Sequence, residues 1–501
     1  MKKILSIVPV FLFLFSQVAL SQNTKIKWGQ TEKGRNQKGV NEAIGWHDGY
    51  YYTIRSKYIM NLNKYVYTLE KSDKNLNLKF SKKLEYDFYN DYLDPILKNG
   101  EIVTFGAEIN RNDKKVELYS TSIDLDGNLI ENKLLASLDY QGRLFKHKLV
   151  SALYVSENKK YLGFSHAKGD FDHNKINLQT LLFDLDESSQ ITLAEESFPL
   201  NEKAYEVTLS DMLVSDDGVL SAVYGSKIKN DLSNPFDNNL IIMDKSGTLL
   251  SPLPLKTDEL LLNDISLKLI KDKVFMTGFL LKAENNREST VGFFLGEVEL
   301  ENNSIKNFNA FPYTQDFFES LGYKVKNSGK IKFEGYFKLR LAETDEGNGF
   351  LLAHHLWQRG SDNPLYYEYE MLAIPFDRTG KLGEVIVLPK KQGYTGRHSI
   401  GMGYFTFSKQ NKLYLLYNDH VDNLTVNDLD ELKDEKNVNS NKVATFIATL
   451  ESGKELKRKE LFNYKEDEGY LVADKCYDGG DIITLNKGDG RAMTFGKLTL
   501  P

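Results

Sequence analysis

One phrase recurs along this chain and limits what it can become. At 117–135 it reads ELYSTSIDLDGNLIENKLL: an alternating apolar run, a short polar turn ending near Gly127, then a second run. It returns as NLIIMDKSGTLLSPLPL at 239–255, EMLAIPFDRTGKLGEVIVLP at 370–389 and KVATFIATLESGKELKRKELF at 442–462, with looser copies at 178–198 and 65–84. A period of two is the mark of a strand with one face buried. Asp, Asn, Ser and Gly in the turns supply side-chain bonds to the backbone and positive φ, the chemistry of a tight hairpin. An EF-hand calcium loop needs oxygen ligands at alternating positions and a Glu at the twelfth. Here Leu125, Leu129 and Ile130 interrupt the series and Leu135 stands twelfth from Asp124. The phrase is therefore a hairpin and not a calcium site.

Each hairpin follows another strand-like run, among them NGEIVTFGAEI, KKYLGFSHAK and NGFLLAHHLW, and most of these follow one more, such as HKLVSALYVSEN or YFKLRLAET. The unit is four strands, A to D. Strand B begins near 48, 99, 157, 216, 271, 346, 410 and 478, a mean spacing of about 61 residues, longer than familiar propeller repeats of ~40–50 because the loops are long. Repetition of this kind resembles the β-propellers, and the resemblance spans roughly residues 23–501. The expected fold is all-β, an eight-bladed propeller of four-stranded blades, with seven blades as the alternative. The last unit has A (LVADKCYD), B (DIITLNKG) and C (RAMTFGKLTLP) but no D before Pro501. NTKIKWGQ at 23–30 is a strand without a unit, and it reads like the D strand NLNLKFSK at 75–82. Pairing the two termini closes the ring.

The resemblance is one of architecture. The Trp-Asp signature and the sialidase-type Asp box are absent. FDRTGKLGEV at 376–385 is similar to a quinoprotein-like repeat phrase, but Gly383 and Glu384 stand where that family has a docking Trp. Only Trp28, Trp46 and Trp357 exist, too few for one per blade. No cofactor and no catalytic residue follows from the resemblance.

The first residues, MKKILSIVPVFLFLFSQVALSQ, carry a basic start, a short apolar core and small residues at Ala19 and Ser21. This is the pattern of a cleaved signal peptide, 1–21, ahead of a single domain, 22–501. Export to the periplasm, cell envelope or medium is expected, with no membrane insertion after cleavage, since no second apolar span follows. Lys2 and Lys3 leave with the signal, so the net charge moves from −6 to −8. No basic footprint marks a nucleic-acid partner. Cys476 is the single cysteine and sits in an apolar run, which reads as a buried structural thiol. Few cysteines, Lys- and Asn-rich loops and Gln22 after the cleavage site resemble exported proteins of Bacteroidetes-type bacteria.

Strand direction alternates, so the long B-to-C loops and D-to-A links share one face. Long loops on a rigid scaffold are where binding sits. On that face the candidate ligand-binding residues are His354, His355, Trp357, Arg359, Arg397, His398 and His420. Imidazole, guanidinium and an aromatic plate suit an anionic or sugar-like ligand. The competing reading makes them unrelated surface residues, with one of His354 and His355 packed inward. No metal-ligand spacing accompanies them, so no metal is expected. TQDFFESLGY at 314–323 reads as a short helix capped by Thr314 and ended by Gly322. The acids of the 418–441 loop match no coordination spacing and read as a solvated, partly helical excursion. The function expected is a non-enzymatic, monomeric, exported propeller binding a protein or glycan. The rivals are a propeller glycosidase or lyase acting on polysaccharide, and a structural subunit of a cell-envelope assembly.

Overall fold

The computed structural model describes residues 24–500 apart from 30–31, 34–39, 60–63, 85–90, 93–94, 111, 140–148, 202–203, 229–235, 251, 257–259, 285–286, 301–303, 324–334, 360–364, 396–402, 435–439, 468, 481 and 489–491. The signal segment 1–21 lies outside the described residues.

The strands form eight antiparallel sheets arranged as an eight-bladed β-propeller. Blade 1 comprises strands A to D at Val40–His47, Tyr50–Ile59, Lys64–Ser72 and Leu78–Lys83. Blade 3 uses Leu149–Val155, Tyr161–Asp170, Lys175–Asp184 and Ser189–Pro199. In blade 6 strands A to C are Tyr336–Glu343, Gly349–Arg359 and Leu365–Phe376, and D is split into Ile386–Leu388 and Gln392–Thr395. Blade 7 has Tyr404–Lys409, Lys412–His420, Val443–Leu450 and Lys457–Asn463. Strands A of blades 3 to 6 touch in succession, which places A at the axis. The D strands stand at the rim, and that of blade 2, Leu129–Asp139, is exposed over most of its length.

Each inner blade buries both faces, which explains near-continuous apolar strands such as VATFIATL of blade 7. The core is divided into layers between neighbouring blades. Phe105 and Leu118 of blade 2 meet Phe164 and Leu181 of blade 3. Leu352 and Met371 of blade 6 meet Leu415 and Phe446 of blade 7.

The C-to-D turns are locally encoded. Asp73 accepts the backbone N–H groups of Asn75 and Asn77 at 2.8 and 3.0 Å. Asp124 does the same with Asp126 and Asn128, Asp244 with Ser246 and Thr248, and Asp377 with Thr379 and Lys381. Each carboxylate satisfies the donors that a hairpin turn leaves open. The bond from Asn77 is the main reason that Asp73 is lowered to about 2. Gly127, Gly247 and Gly380 complete three of these turns at φ of 75–86°. The acid-and-glycine phrase that opens like a calcium loop is a backbone clasp.

Blade 8 closes the ring as the termini suggest. Lys25–Trp28 pairs antiparallel with Ala492–Thr499, from Lys25 opposite Thr499 to Trp28 opposite Gly496. Gly496 has no side chain because the Trp28 ring lies across it: a Cβ there would come within 2.3 Å of the indole. Strand A of blade 8 departs from expectation. It is broken into Tyr470–Leu471 and Tyr477–Asp478 by a 3-10 turn at Ala473–Lys475. Leu471 pairs with Lys487 and Tyr477 with Thr484, so more residues lie between the pairs on A than on B, and the turn takes up the excess. Cys476 follows that turn, accepts the Asn486 N–H at 3.4 Å, and is pushed by burial to about 12, which leaves an unreactive thiol.

Candidate functional site

The A–B and C–D turns leave one face of the ring, and the B–C loops and D–A links leave the other; in blade 8 strand D comes from the N-terminal strand, so no C–D turn joins it. Blade 6 carries a cluster of buried polar residues near that second face, and two irregularities put it there. His354 pairs with Met371 and Leu356 with Glu368, so strand C has an extra residue at Tyr369–Glu370. Such a bulge resets the alternation of side chains. Glu368 and Glu370, two apart, therefore leave opposite faces of the blade. Beside the bulge strand D is interrupted: Leu388 pairs with Met371 and Gln392 with Glu368. Lys390, in the interruption, turns inward.

On the side facing blade 7, Lys390 is fully buried and forms an ion pair with Glu368, itself 3% exposed. The Gly403 N–H donates to Glu368 at 2.6 Å. Burial opposes the carboxylate charge, but the ammonium of Lys390 overcomes it and holds Glu368 below its ordinary value. His354 stands 3.9 Å from Glu368, with its ring edge-on to Tyr404. Burial drives it down to about 3, so it is neutral. Asp419 of blade 7 accepts the His420 N–H at 2.8 Å and the Asn423 amide at 3.0 Å, yet burial pushes it up to about 7.

On the side facing blade 5, His355 Nδ1 lies 2.8 Å from Glu370 Oε1, and the Tyr323 hydroxyl donates to the same oxygen. Burial raises Glu370 to about 8, so this carboxyl keeps a proton at neutral pH. The stability that comes with the raised value is fully present below the ordinary carboxylate value and is lost as pH rises toward about 8. Glu370→Gln is expected to flatten the fall in the urea midpoint between pH 5 and pH 8. An unchanged slope would show that Glu370 titrates normally.

Above this pair the rings form a column. Phe337, fully buried, meets His355 at 5.4 Å, and His355 meets Tyr369 at 4.9 Å. Tyr369 stacks on Tyr367 at 5.7 Å, and Tyr367 on Trp357 at 5.1 Å. Trp357 is half-buried and ends the column; among the described residues no ring covers its other face.

The candidate residues thus separate. His354 and His355 are both buried, on opposite sides of one blade, because both faces of a propeller blade are interior. Trp357 reaches the loop-rich face. Arg359 belongs to strand B of blade 6 by its backbone. Arg397 and His398 lie outside the described residues, and strand A of blade 7 begins later, at Tyr404. His420 is 6% exposed and its Nδ1 accepts the Asp422 N–H at 3.1 Å, capping the 3-10 helix Val421–Thr425. That helix and a second at Leu429–Glu431 make the 418–441 loop partly helical. Asn423, fully buried, ties it down through Asp419 and the Lys433 backbone. Among the described residues no group of acids, histidines or cysteine is arranged to hold a metal.

Glu368, Glu370 and Lys390 escaped the sequence reading, Tyr323 was read only as one of several loop aromatics, and Asp419, read as a solvated loop acid, is 1% exposed because it ends a strand packed between blades. One signal was available: Glu368 and Glu370 in LYYEYEMLAIPF occupy a strand whose neighbours are apolar or aromatic. The helix at 315–320 forms as expected, with Thr314 accepting the Phe317 N–H at 3.2 Å, and Phe318 packs in the layer between blades 5 and 6.

No protein-family model matches the chain, and no curated protein matches it in sequence. Its strand arrangement is similar to solved propellers. The Dos1 propeller is 10% identical over 94% of this chain and 95% of its own, with a TM-score of 0.43. The β-propeller domain of the Trilobed protease from Pyrococcus furiosus is 10% identical over 86% of this chain and 98% of its own, with a TM-score of 0.37. The polysaccharide lyase Uly1 is 9% identical over 92% and 90%, with a TM-score of 0.39. The likeness is of fold alone.

Proposed function

We propose that this chain is exported on its N-terminal segment, residues 1–21, and is a binding module that takes a glycan on its loop-rich face. The observation that carries the reading is the ring column of blade 6, which ends in Trp357 with one face uncovered by any described ring. A sugar offers a flat C–H face to such a ring, and a ring already held by packing loses little freedom on binding. The His355–Glu370 pair beneath it is buried too deeply to meet a polymer and serves to fix the column. Two further rings are exposed on that face. Tyr205 and Tyr336, 54% and 53% exposed, begin strands A on the loop-rich face. The exposed aliphatic residues Leu129, Ile130, Leu134, Ile191 and Leu193 lie on outer strands instead. Rings carrying hydroxyls pair an apolar face with a hydrogen-bonding tip, the combination a sugar offers in return.

The test is affinity electrophoresis of residues 22–501 through gels containing laminarin, xylan or arabinan. Retardation by at least one polymer is expected, with Trp357→Ala weakening binding tenfold or more, about 1.4 kcal/mol. No retardation by any polymer, with capture of an envelope protein instead, would make the partner a protein. Release of new chain ends from a polymer would make the chain an enzyme.

A further inference from the structure

A second polar site lies on the same face, between blades 2 and 3, where the fold calls for apolar packing. The side of blade 3 that meets blade 2 begins apolar, with Leu162, Phe164, Leu181 and Phe183. Two residues beyond Phe164, toward the loop-rich face, the same side turns polar across three strands. One rung is His166, Gln179 and Glu195; the next is Lys168, Asn177 and Ser197. The opposite side stays apolar at Ala167, Ile176 and Leu178. Over the two rungs lies a cavity of about 350 Å³, which Asp139 of blade 2 and Glu196 also line.

The hydrogen bonds of the first rung have a fixed direction. Glu195 only accepts, so the Gln179 amide nitrogen donates to it. The Gln179 oxygen must then face His166, and the His166 Nε2 carries the proton that it accepts. His166 is 2% exposed, and burial lowers it below the ordinary imidazole value, so the ring is neutral. Its Nδ1 is a bare lone pair with no partner among the described residues. A buried acceptor without a donor is costly. On this side of the blade the described lining sets the carboxylates of Asp139 and Glu195 against the ammonium of Lys168, while Glu196, opposite Leu178, stands at the edge. The cavity offers acceptors and an excess of negative charge.

We propose that this cavity binds a small organic cation bearing N–H donors, a primary ammonium or guanidinium, with His166 Nδ1 accepting one hydrogen and Glu195 facing the charge. Both the missing donor and the net charge of the lining favour such a ligand over a neutral sugar. The group belongs either to a free amine or to a lysine or arginine side chain of a peptide.

Isothermal titration of residues 22–501 with agmatine, Gly-Arg-Gly and Gly-Lys-Gly tests this, with methyl glucoside and acetate as neutral and anionic controls. At least one cationic probe is expected to bind, and tighter binding of agmatine or of a peptide identifies the source. Glu195→Gln, a change at an exposed position, is expected to weaken binding tenfold or more without altering thermal unfolding. His166→Phe is expected to abolish it. Binding of methyl glucoside in place of the cations overturns the proposal. So does silence from every probe at millimolar concentration, or cation binding that Glu195→Gln leaves intact.

Discussion

Lys390→Met is expected to destabilise the protein by about 3–5 kcal/mol, the range for breaking a buried ion pair by removing one partner. The methionine fills similar volume, so the loss is not one of packing. It arises because Glu368 stays behind, 3% exposed, without the cation that offsets its burial. The Gly403 N–H alone cannot replace a full charge. The carboxyl then takes a proton, so the variant should lose least at acidic pH and most above neutrality. Coupling the change to Glu368→Gln removes the stranded charge but keeps an acceptor for Gly403. The double variant should recover most of the loss, since a buried pair replaced on both sides is often neutral. Urea midpoints at pH 5 and pH 8 decide it. A single-variant loss under about 1 kcal/mol would mean that water reaches Glu368.

Removing the first strand is expected to have a larger effect. Residues 31–501, compared with 22–501, lack the D strand of blade 8. Four residue pairs with Ala492–Thr499 are lost, as is the bond from the Gly29 N–H to the Phe495 oxygen at 2.9 Å. Ile26 and Trp28 leave the layer between blades 7 and 8, where Trp28 meets Phe462 edge-on at 5.2 Å. With about 1 kcal/mol net per hydrogen bond and roughly half of the 1.5–3 kcal/mol of a fully buried large side chain for each of the half-buried Ile26 and Trp28, the total is about 6–8 kcal/mol. Trp28→Ala alone should cost about 2 kcal/mol, part of the 3–5 typical of a fully buried ring, because Trp28 is only half-buried. A synthetic TKIKWG peptide added to the truncated chain should restore part of the melting temperature. A truncated chain that melts with the parent would show that the ring holds without its terminal strand.

The sequence made the first strand legible because a missing D strand at one end and a spare strand at the other explain each other. It made the hairpins legible because their determinants are local. An Asp that clasps the N–H groups two and four residues on, with a Gly close behind, acts within five residues of chain. The helix at 315–320 was legible for the same reason, since its cap and stop are its own neighbours.

The polar sites were not legible, and the cause lies in register. Whether His354 and His355 face water or a neighbouring blade depends on packing from residues about 30–70 positions away, such as Tyr323 and Tyr404. One extra residue at Tyr369–Glu370 sends two glutamates to opposite sides, and nothing in LYYEYEM marks where that residue is taken up. The polar half of blade 3 was visible as His166 and Lys168 in KKYLGFSHAK, on the same alternation as Leu162 and Phe164. What the sequence could not supply was that blade 2 leaves a cavity over them. Alternation and turn chemistry are short-range, so by themselves they marked most of the strands, favoured eight blades over seven and suggested the closure. The burial of charges, the direction of each glutamate and the position of the cavities were decided only when blades distant in sequence packed together. Those properties depend on which side chains exclude water from which, and that is set by the assembled ring.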